Sequence, residues 1–137
     1  MDIDPRAARF GAAISTAVLA VVLVTGSGWL LAAQALVFAI GALAGLRYAP
    51  YGAVYRYLVR PRLGPPARTE PAAPPRFAQG VGMVIAAVGV IGYAAGVTVL
   101  GAVCAALALA AAFLNAAFDY CLGCQIYLFI QRIRPAA

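Results

Sequence analysis

Two long stretches of this chain carry no charged residue: Phe10 to Leu46, 37 residues, and Phe77 to Phe118, 42 residues. One helix needs roughly 20 residues to cross about 30 Å of hydrocarbon, so each stretch is long enough for two spans. Each also contains a break near its middle, at Thr25-Gly26-Ser27-Gly28 and at Ala95-Gly96-Val97-Thr98. Hydrophobic residues make up 65% of the chain, whereas a soluble domain has roughly half. A helical bundle in water would need a polar face on each helix, and these stretches offer none. The pattern predicts an all-α integral membrane protein with four transmembrane helices arranged as two hairpins.

The helix ends agree with that count. Asp4 before Pro5 supplies an N-cap and a first-turn proline for span one, which runs to about Val24. Span two runs from about Trp29 to Tyr48. Pro74-Pro75 precede span three, and Thr98 is placed to cap span four, which runs to about Asp119. The single membrane domain 1–137 then divides into a first hairpin 5–48, an interfacial segment and connector 49–75, a second hairpin 76–119, and a junction with a tail 120–137.

Arginine placement gives the orientation. Arg6 and Arg9 precede or open span one; Arg47, Arg56, Arg60, Arg62, Arg68 and Arg76 lie in the central loop; Arg132 and Arg134 lie in the tail. All ten basic residues fall on one side of a four-span arrangement, and the positive-inside rule makes that side, with both termini, cytoplasmic. Localisation in the plasma membrane as a multi-pass protein follows. The net charge of +6 then reports topology and attraction to anionic headgroups rather than nucleic-acid binding. The triplet Ala33-Gln34-Ala35 lies deep inside a second apolar run, which does not fit a cleaved signal peptide.

Within the central loop, Tyr51 to Val59 is tyrosine-rich, with Arg56 and Arg60 four apart, and suits a short helix in the headgroup layer. Arg60 to Pro75 holds six of the nine prolines and predicts an extended, polyproline-like connector. The arginines here can serve as a linker held against lipid, or can gather an anionic substrate such as a sulfur oxyanion.

The chain also repeats itself. Arg9-Phe10 opens the first hairpin and Arg76-Phe77 the second, an offset of 67. After the hairpins, an offset of 72 pairs Tyr48 with Tyr120, Tyr55 with Tyr127, Tyr57 with Phe129 and Leu58 with Ile130. A duplication with about five extra residues in the second half accounts for both offsets. Repeats with an even number of spans keep one orientation, which places the relating axis along the membrane normal.

Reactive side chains concentrate in one place. There is no His and no Lys, and Cys121-Leu122-Gly123-Cys124 follows directly on the second apolar run. Ala49 and Gly52 occupy the corresponding places in the first half. In a continuous helix the two cysteines share one face. Three uses fit them: a redox or sulfur-carrying pair, a structural pair, or soft-metal binding. Two thiolates do not complete a tetrahedral site, so zinc would need a dimer, whereas copper(I) can manage with two. No cofactor or metal is expected. Cys104, within span four, reads as a small buried apolar residue.

Asn115 and Asp119 lie four apart on one helix face, placed either to support the dithiol or to bond across the bundle and set helix register. In an unbroken helix at about 100° per residue, Asp119 points roughly 160° away from Cys121, and a carboxylate close by would raise a thiol's pKa. Thiolate activation is therefore expected from Arg56, Arg60, Arg132 or Arg134, or from a helix N-terminus beginning near Gly123.

Taken together, Trp29-Leu-Leu-Ala-Ala-Gln34, Leu58-Val-Arg-Pro-Arg-Leu-Gly-Pro-Pro66, Pro75-Arg-Phe-Ala-Gln79 and Phe113-Leu-Asn-Ala-Ala-Phe118 leading to the dithiol resemble the actinobacterial membrane family DUF4395, over nearly the whole chain. Each half is also similar to the two-helix membrane module called DUF2892, which anchors some rhodanese sulfurtransferases. That resemblance implies thiol or sulfane-sulfur handling with a thioredoxin-like or rhodanese partner. Two functions therefore stand side by side. One is a relay through Cys121 and Cys124 at the cytoplasmic face of the bilayer. The other is a non-catalytic docking or permeation module for a small sulfur species. Gly41 with Gly45 and Gly92 with Gly96 have the G-x-x-x-G spacing of close helix packing, and a homodimer is compatible with both functions.

Overall fold

The computed structural model describes residues 2–134. Met1 and the last three residues of the expected tail, 135–137, lie outside the described residues. The chain is almost entirely helical. A two-residue strand β1 (Asp2–Ile3) precedes α1 (Pro5–Thr25) and α2 (Gly28–Ala39), which continues as a π-helical turn over Ile40–Ala44. After a 3₁₀ turn, Leu46–Tyr48, come α3 (Pro50–Val54), a second π turn over Tyr55–Val59, and α4 (Arg60–Leu63). Strand β2 (Glu70–Pro71), α5 (Ala73–Ala94), α6 (Thr98–Phe118) and α7 (Leu122–Ile133) complete it.

Three of these helices, α1, α5 and α6, are long and apolar enough to cross a membrane. The remaining apolar helix, Gly28–Ala44, is shorter, about 25 Å at 1.5 Å per residue. Gly45, at φ 116°, stops it before the span expected to reach Tyr48. Large apolar side chains point outward along these helices: Val24, Trp29, Leu36, Ile91, Val99 and Leu107 are all exposed. An exposed apolar exterior of this extent suits hydrocarbon rather than water.

Local sequence explains most of the helix ends. The Asp4 carboxylate accepts the Arg6 N–H at 2.9 Å and Pro5 occupies the first turn, so α1 starts as the residues predict. Gly26 closes α1 in the left-handed region, and the Ser27 hydroxyl accepts the Leu30 N–H to open α2. At the second turn Thr98 does not cap α6. A Schellman closure forms instead, with Val97 N–H on the Gly92 carbonyl and Gly96 N–H on that of Tyr93. The chain therefore enters α6 at Val97, and Thr98 becomes its first helical residue.

The central loop is less extended than its prolines predict. Arg60–Leu63 is a helical turn ended by Gly64 at φ 79°, and Glu70–Pro71 pairs antiparallel with Asp2–Ile3. Pro74 and Pro75 do not precede α5 but lie in its first turn, where their missing N–H groups would have no helical partner.

Helix packing crosses between the halves of the chain: α1 lies mainly on α6, and α2 on α5. The same contacts occur twice. Phe10 on α1 meets Tyr55 at 5.8 Å between ring centroids, and Phe77 on α5 meets Tyr127 on α7 at 5.5 Å, with interplanar angles of 50° and 53°. Arg9 donates to the Ala116 carbonyl near the end of α6, and Arg76 donates to the Ala42 and Leu43 carbonyls at the end of α2. The starts of α1 and α5 thus share one end of the bundle with the ends of α2 and α6.

The core between α5 and α6 depends on small residues. A Cβ on Gly92 would stand 2.8 Å from the Gly101 backbone nitrogen, and one on Gly101 would stand 2.7 Å from the Tyr93 ring. Both glycines of the expected packing motifs that lie inside helices, Gly41 and Gly92, pack within the chain, against Gln79 and α6 respectively. Gly92→Ala is expected to lower stability by about 1–3 kcal/mol through overpacking. Gly80→Ala, whose Cβ would meet Ala42 at an ordinary 3.8 Å, is expected to be neutral or stabilising. Unfolding of both variants in detergent checks the pair; equal stability would refute the close crossing.

Candidate functional site

The dithiol sits where two helices are broken apart. Helix α6 ends at Phe118, and Asp119 follows in the left-handed conformation at φ 54°, the only non-glycine with positive φ among the described residues. Asp tolerates this region better than most residues. Its N–H bonds the Asn115 carbonyl, and that of Tyr120 bonds Leu114. The chain then turns, and α7 begins. The continuous helix assumed from spacing is therefore absent, and with it the predicted angle between Asp119 and Cys121.

Cys121 is the N-cap of α7. Its Sγ accepts the Cys124 N–H at 3.1 Å, and the two cysteines are joined by a disulfide. Both are half-buried. An N-cap acceptor satisfies one of the free amides at a helix start, and the positive end of the helix dipole favours negative charge there. The residue between them fixes the site against the bundle: a Cβ on Gly123 would stand 2.6 Å from that of Ala78 on α5. No larger residue fits without moving α7. Tyr127, one turn further, rests on Phe77.

Asp119 joins this junction to a neighbouring helix and to the connector. It pairs with Arg9 of α1 at 3.9 Å and with Arg68 of the connector at 3.7 Å. The Asn115 side chain makes no hydrogen bond among the described residues. Arg56 and Arg60 are not near the dithiol in any described contact; they line a separate cavity of about 220 Å³ together with Arg47, Asp4 and Tyr55. Arg132 stands two turns beyond Cys124, in the last turn of α7. Of the sources of thiolate activation predicted, the helix N-terminus is the one the structure brings to the sulfur. Cys104 is free and buried, packed on Gly89. Among the described residues no group of three or more His, Cys, Asp or Glu lies together.

Two polar networks were not apparent from the sequence. The Asp4 carboxylate, 8% exposed, accepts from the Arg6 guanidinium at 3.0 Å and from the Tyr55 hydroxyl at 2.9 Å. Burial works against its charge, but the bonds from Arg6 and Tyr55 outweigh it and hold the carboxyl below its ordinary value of 3.8. Burial, and then the bond to Asp4, pushes the Tyr55 phenol up, so it remains a donor. Deeper in the bundle, Gln34 accepts from Tyr51 at 2.7 Å and donates to Ser15 at 3.0 Å, with Gln34 and Ser15 both buried. Both tyrosines belong to the segment whose composition suggested only an interfacial helix.

These features define a class: a small helical protein with membrane-length apolar helices and a dithiol at a helix start. The family DUF4395, described as a domain of unknown function, matches residues 3–132, and the chain belongs to it. No curated protein and no solved structure matches the chain.

Proposed function

We propose that this is a four-span plasma-membrane protein, built as two duplicated hairpins, whose Cys121–Cys124 pair exchanges electrons with a soluble thioredoxin-like partner at the cytoplasmic surface. The observation that carries the exchange is the bond from the Cys124 N–H to the Cys121 Sγ at the start of α7. A thiolate at that place is stabilised by the amide and by the helix dipole, and the thiolate is the reactive form.

The step balances without a cofactor. The Cys121 thiolate attacks one sulfur of an oxidised partner, forming a mixed disulfide and releasing the partner's second thiolate. Cys124, losing its proton, then attacks the Cys121 sulfur. The intramolecular disulfide closes, and the partner leaves as a dithiol with both electrons. The reverse sequence reduces the disulfide at the expense of a reduced partner. Persulfide exchange with a rhodanese would use the same Cys121 sulfur.

Three observations support the membrane arrangement. Arginines sit at the shared end of the bundle, where Arg9 and Arg76 hold helix-terminal carbonyls. Trp29 is 89% exposed at the opposite end of α2, suited to the other interface. The duplicated contacts of Phe10 with Tyr55 and Phe77 with Tyr127 fit a pseudo-twofold axis along the membrane normal. In that arrangement the extra residues of the second copy lie chiefly in α6, which has 21 where Gly28–Ala44 has 17.

Alkylation in native membranes after reduction tests the exchange. Cys121 is expected to be labelled much faster than buried Cys104 near neutral pH, and mild oxidation is expected to protect Cys121 and Cys124 together. Labelling of Cys121 no faster than Cys104 would sink the relay.

A further inference from the structure

We propose that the cavity between the first turns of α1 and the α3 segment binds a phosphate-class oxyanion, whether a lipid phosphate or a free ion. About 220 Å³ is enclosed there. At roughly 30 Å³ of liquid volume per water, that is room for a tetrahedral oxyanion and part of its hydration shell.

Charge selects the ligand. Arg47, Arg56 and Arg60 line the cavity, and none of them forms an ion pair among the described residues. The one carboxylate in the wall, Asp4, is already matched by Arg6 and Tyr55. Glu70 and Asp119 are taken by Arg68, and Asp119 also by Arg9. Three arginines therefore line one small space whose single carboxylate is already matched. Each offers five donors in a planar fork suited to phosphate oxygens.

Two of the three arginines are also held in place. Arg56 donates to the Arg47 carbonyl at 2.9 Å, Arg47 lies over the Tyr48 ring at 5.2 Å, and Arg56 over the Tyr57 ring at 5.8 Å. Gln79 adds a side-chain amide to the wall that makes no hydrogen bond among the described residues. Tyr51 contributes a phenol already committed to Gln34.

The second half of the chain shows that topology does not require this cluster. At the offset of 72, Asp119, Leu128 and Arg132 stand where Arg47, Arg56 and Arg60 stand in the first half. The packing there is also tighter, since a Cβ on Gly123 would be 2.6 Å from that of Ala78, whereas one on Gly11 would be 3.6 Å from that of Tyr51. One copy has the dithiol and a tight seat, and the other has the cations and a cavity. Positive-inside placement alone would not concentrate three unpaired arginines around one of two equivalent sites.

The test uses the full chain, delipidated in a non-ionic detergent. Inorganic phosphate and sulfate are titrated at constant ionic strength against chloride, with the thermal midpoint as readout. Native mass spectrometry compares retention of short-chain phosphatidylglycerol with that of diacylglycerol, which lacks the phosphate. A saturable rise with inorganic phosphate assigns a free-ion site; retention of phosphatidylglycerol alone assigns a lipid headgroup. In either case Arg60→Gln is expected to weaken binding about tenfold or more, the size of one charge-assisted hydrogen bond. The Arg60 side chain makes no hydrogen bond or ion pair among the described residues, and its carbonyl bond to Gly64 is kept in Arg60→Gln, so the fold of that variant is expected to hold. Arg132→Gln, at the equivalent place in the second copy, is expected to bind as the parent does. No response to phosphate, sulfate or phosphatidylglycerol, equal retention of diacylglycerol, or equal weakening by Arg132→Gln would each overturn the proposal.

Discussion

A Cys124→Ser variant offered an oxidised thioredoxin-like protein is expected to stop at a mixed disulfide on Cys121, while Cys121→Ser forms little adduct and reacts slower by about tenfold or more. The asymmetry comes from α7. Cys121 caps the helix and its sulfur receives an amide hydrogen bond; Cys124 lies in the first turn and supplies that amide. Exchange passes through a mixed disulfide that the second cysteine resolves, so removing Cys124 leaves the intermediate with no route forward. Removing Cys121 takes away the sulfur that the helix start favours as thiolate, and each unit of pKa above the ambient pH reduces the reactive fraction about tenfold. Non-reducing electrophoresis and mass spectrometry of the adduct check the prediction. Adducts trapped equally by both variants would show that the helix start does not select between the cysteines. Adducts from neither would remove the relay.

Much of this arrangement can be read from residue order, because local chemistry decides it. The start of α1 needs only Asp4 and Pro5, and the first turn needs only Gly26 and Ser27. The repeat was visible as paired tyrosines at an offset of 72, and the structure gives Tyr55 and Tyr127 the same kind of partner, a phenylalanine near the start of an earlier long helix. The end of the fourth span was read at about Asp119, and α6 ends at Phe118, but the sharp turn that follows was less legible. No proline or glycine marks the break at Asp119, and the helix there continues in pattern into Tyr120 and Cys121. Asp119 tolerates the left-handed region, and its ion pairs with Arg9 and Arg68 reach segments far away in the chain, which spacing does not reveal. The cavity is a further case: Arg47, Arg56 and Arg60 converge because α3 and the π turn at Tyr55–Val59 fold back over α1, fixed by the buried bond from Tyr55 to Asp4. Residue order offered the loop arginines an anionic substrate as one of two uses, but not which of them line one space. Arg56 and Arg60, two of the expected activators of the thiolate, line this cavity, while the start of α7 is what lies at the Cys121 sulfur.

Reporters inserted at Ser27 and at Val97 are expected to read as external, and one at Arg68 as cytoplasmic, an all-or-none difference in accessibility. The demanding case is the helix Gly28–Ala44, at about 25 Å the shortest of the four. Its two ends supply what its length lacks. At the end expected to be external, Trp29 is exposed and suited to the headgroup level. At the inner end its last carbonyls would face hydrocarbon or headgroups without helical partners. Arg76 of α5 donates to two of them, at Ala42 and Leu43, at 2.6 and 3.0 Å. A guanidinium at a helix C-terminus also opposes the negative end of the dipole. Long arginine stems can reach the water while their base stays in apolar surroundings, so the bundle's arginine end can sit slightly inside the headgroup plane. On this view the positive side is fixed twice, by the bias of the loops and by arginines that the helix ends require. An external signal at Arg68 would contradict both at once. A cytoplasmic signal at Ser27 would mean that the first pair of helices does not cross.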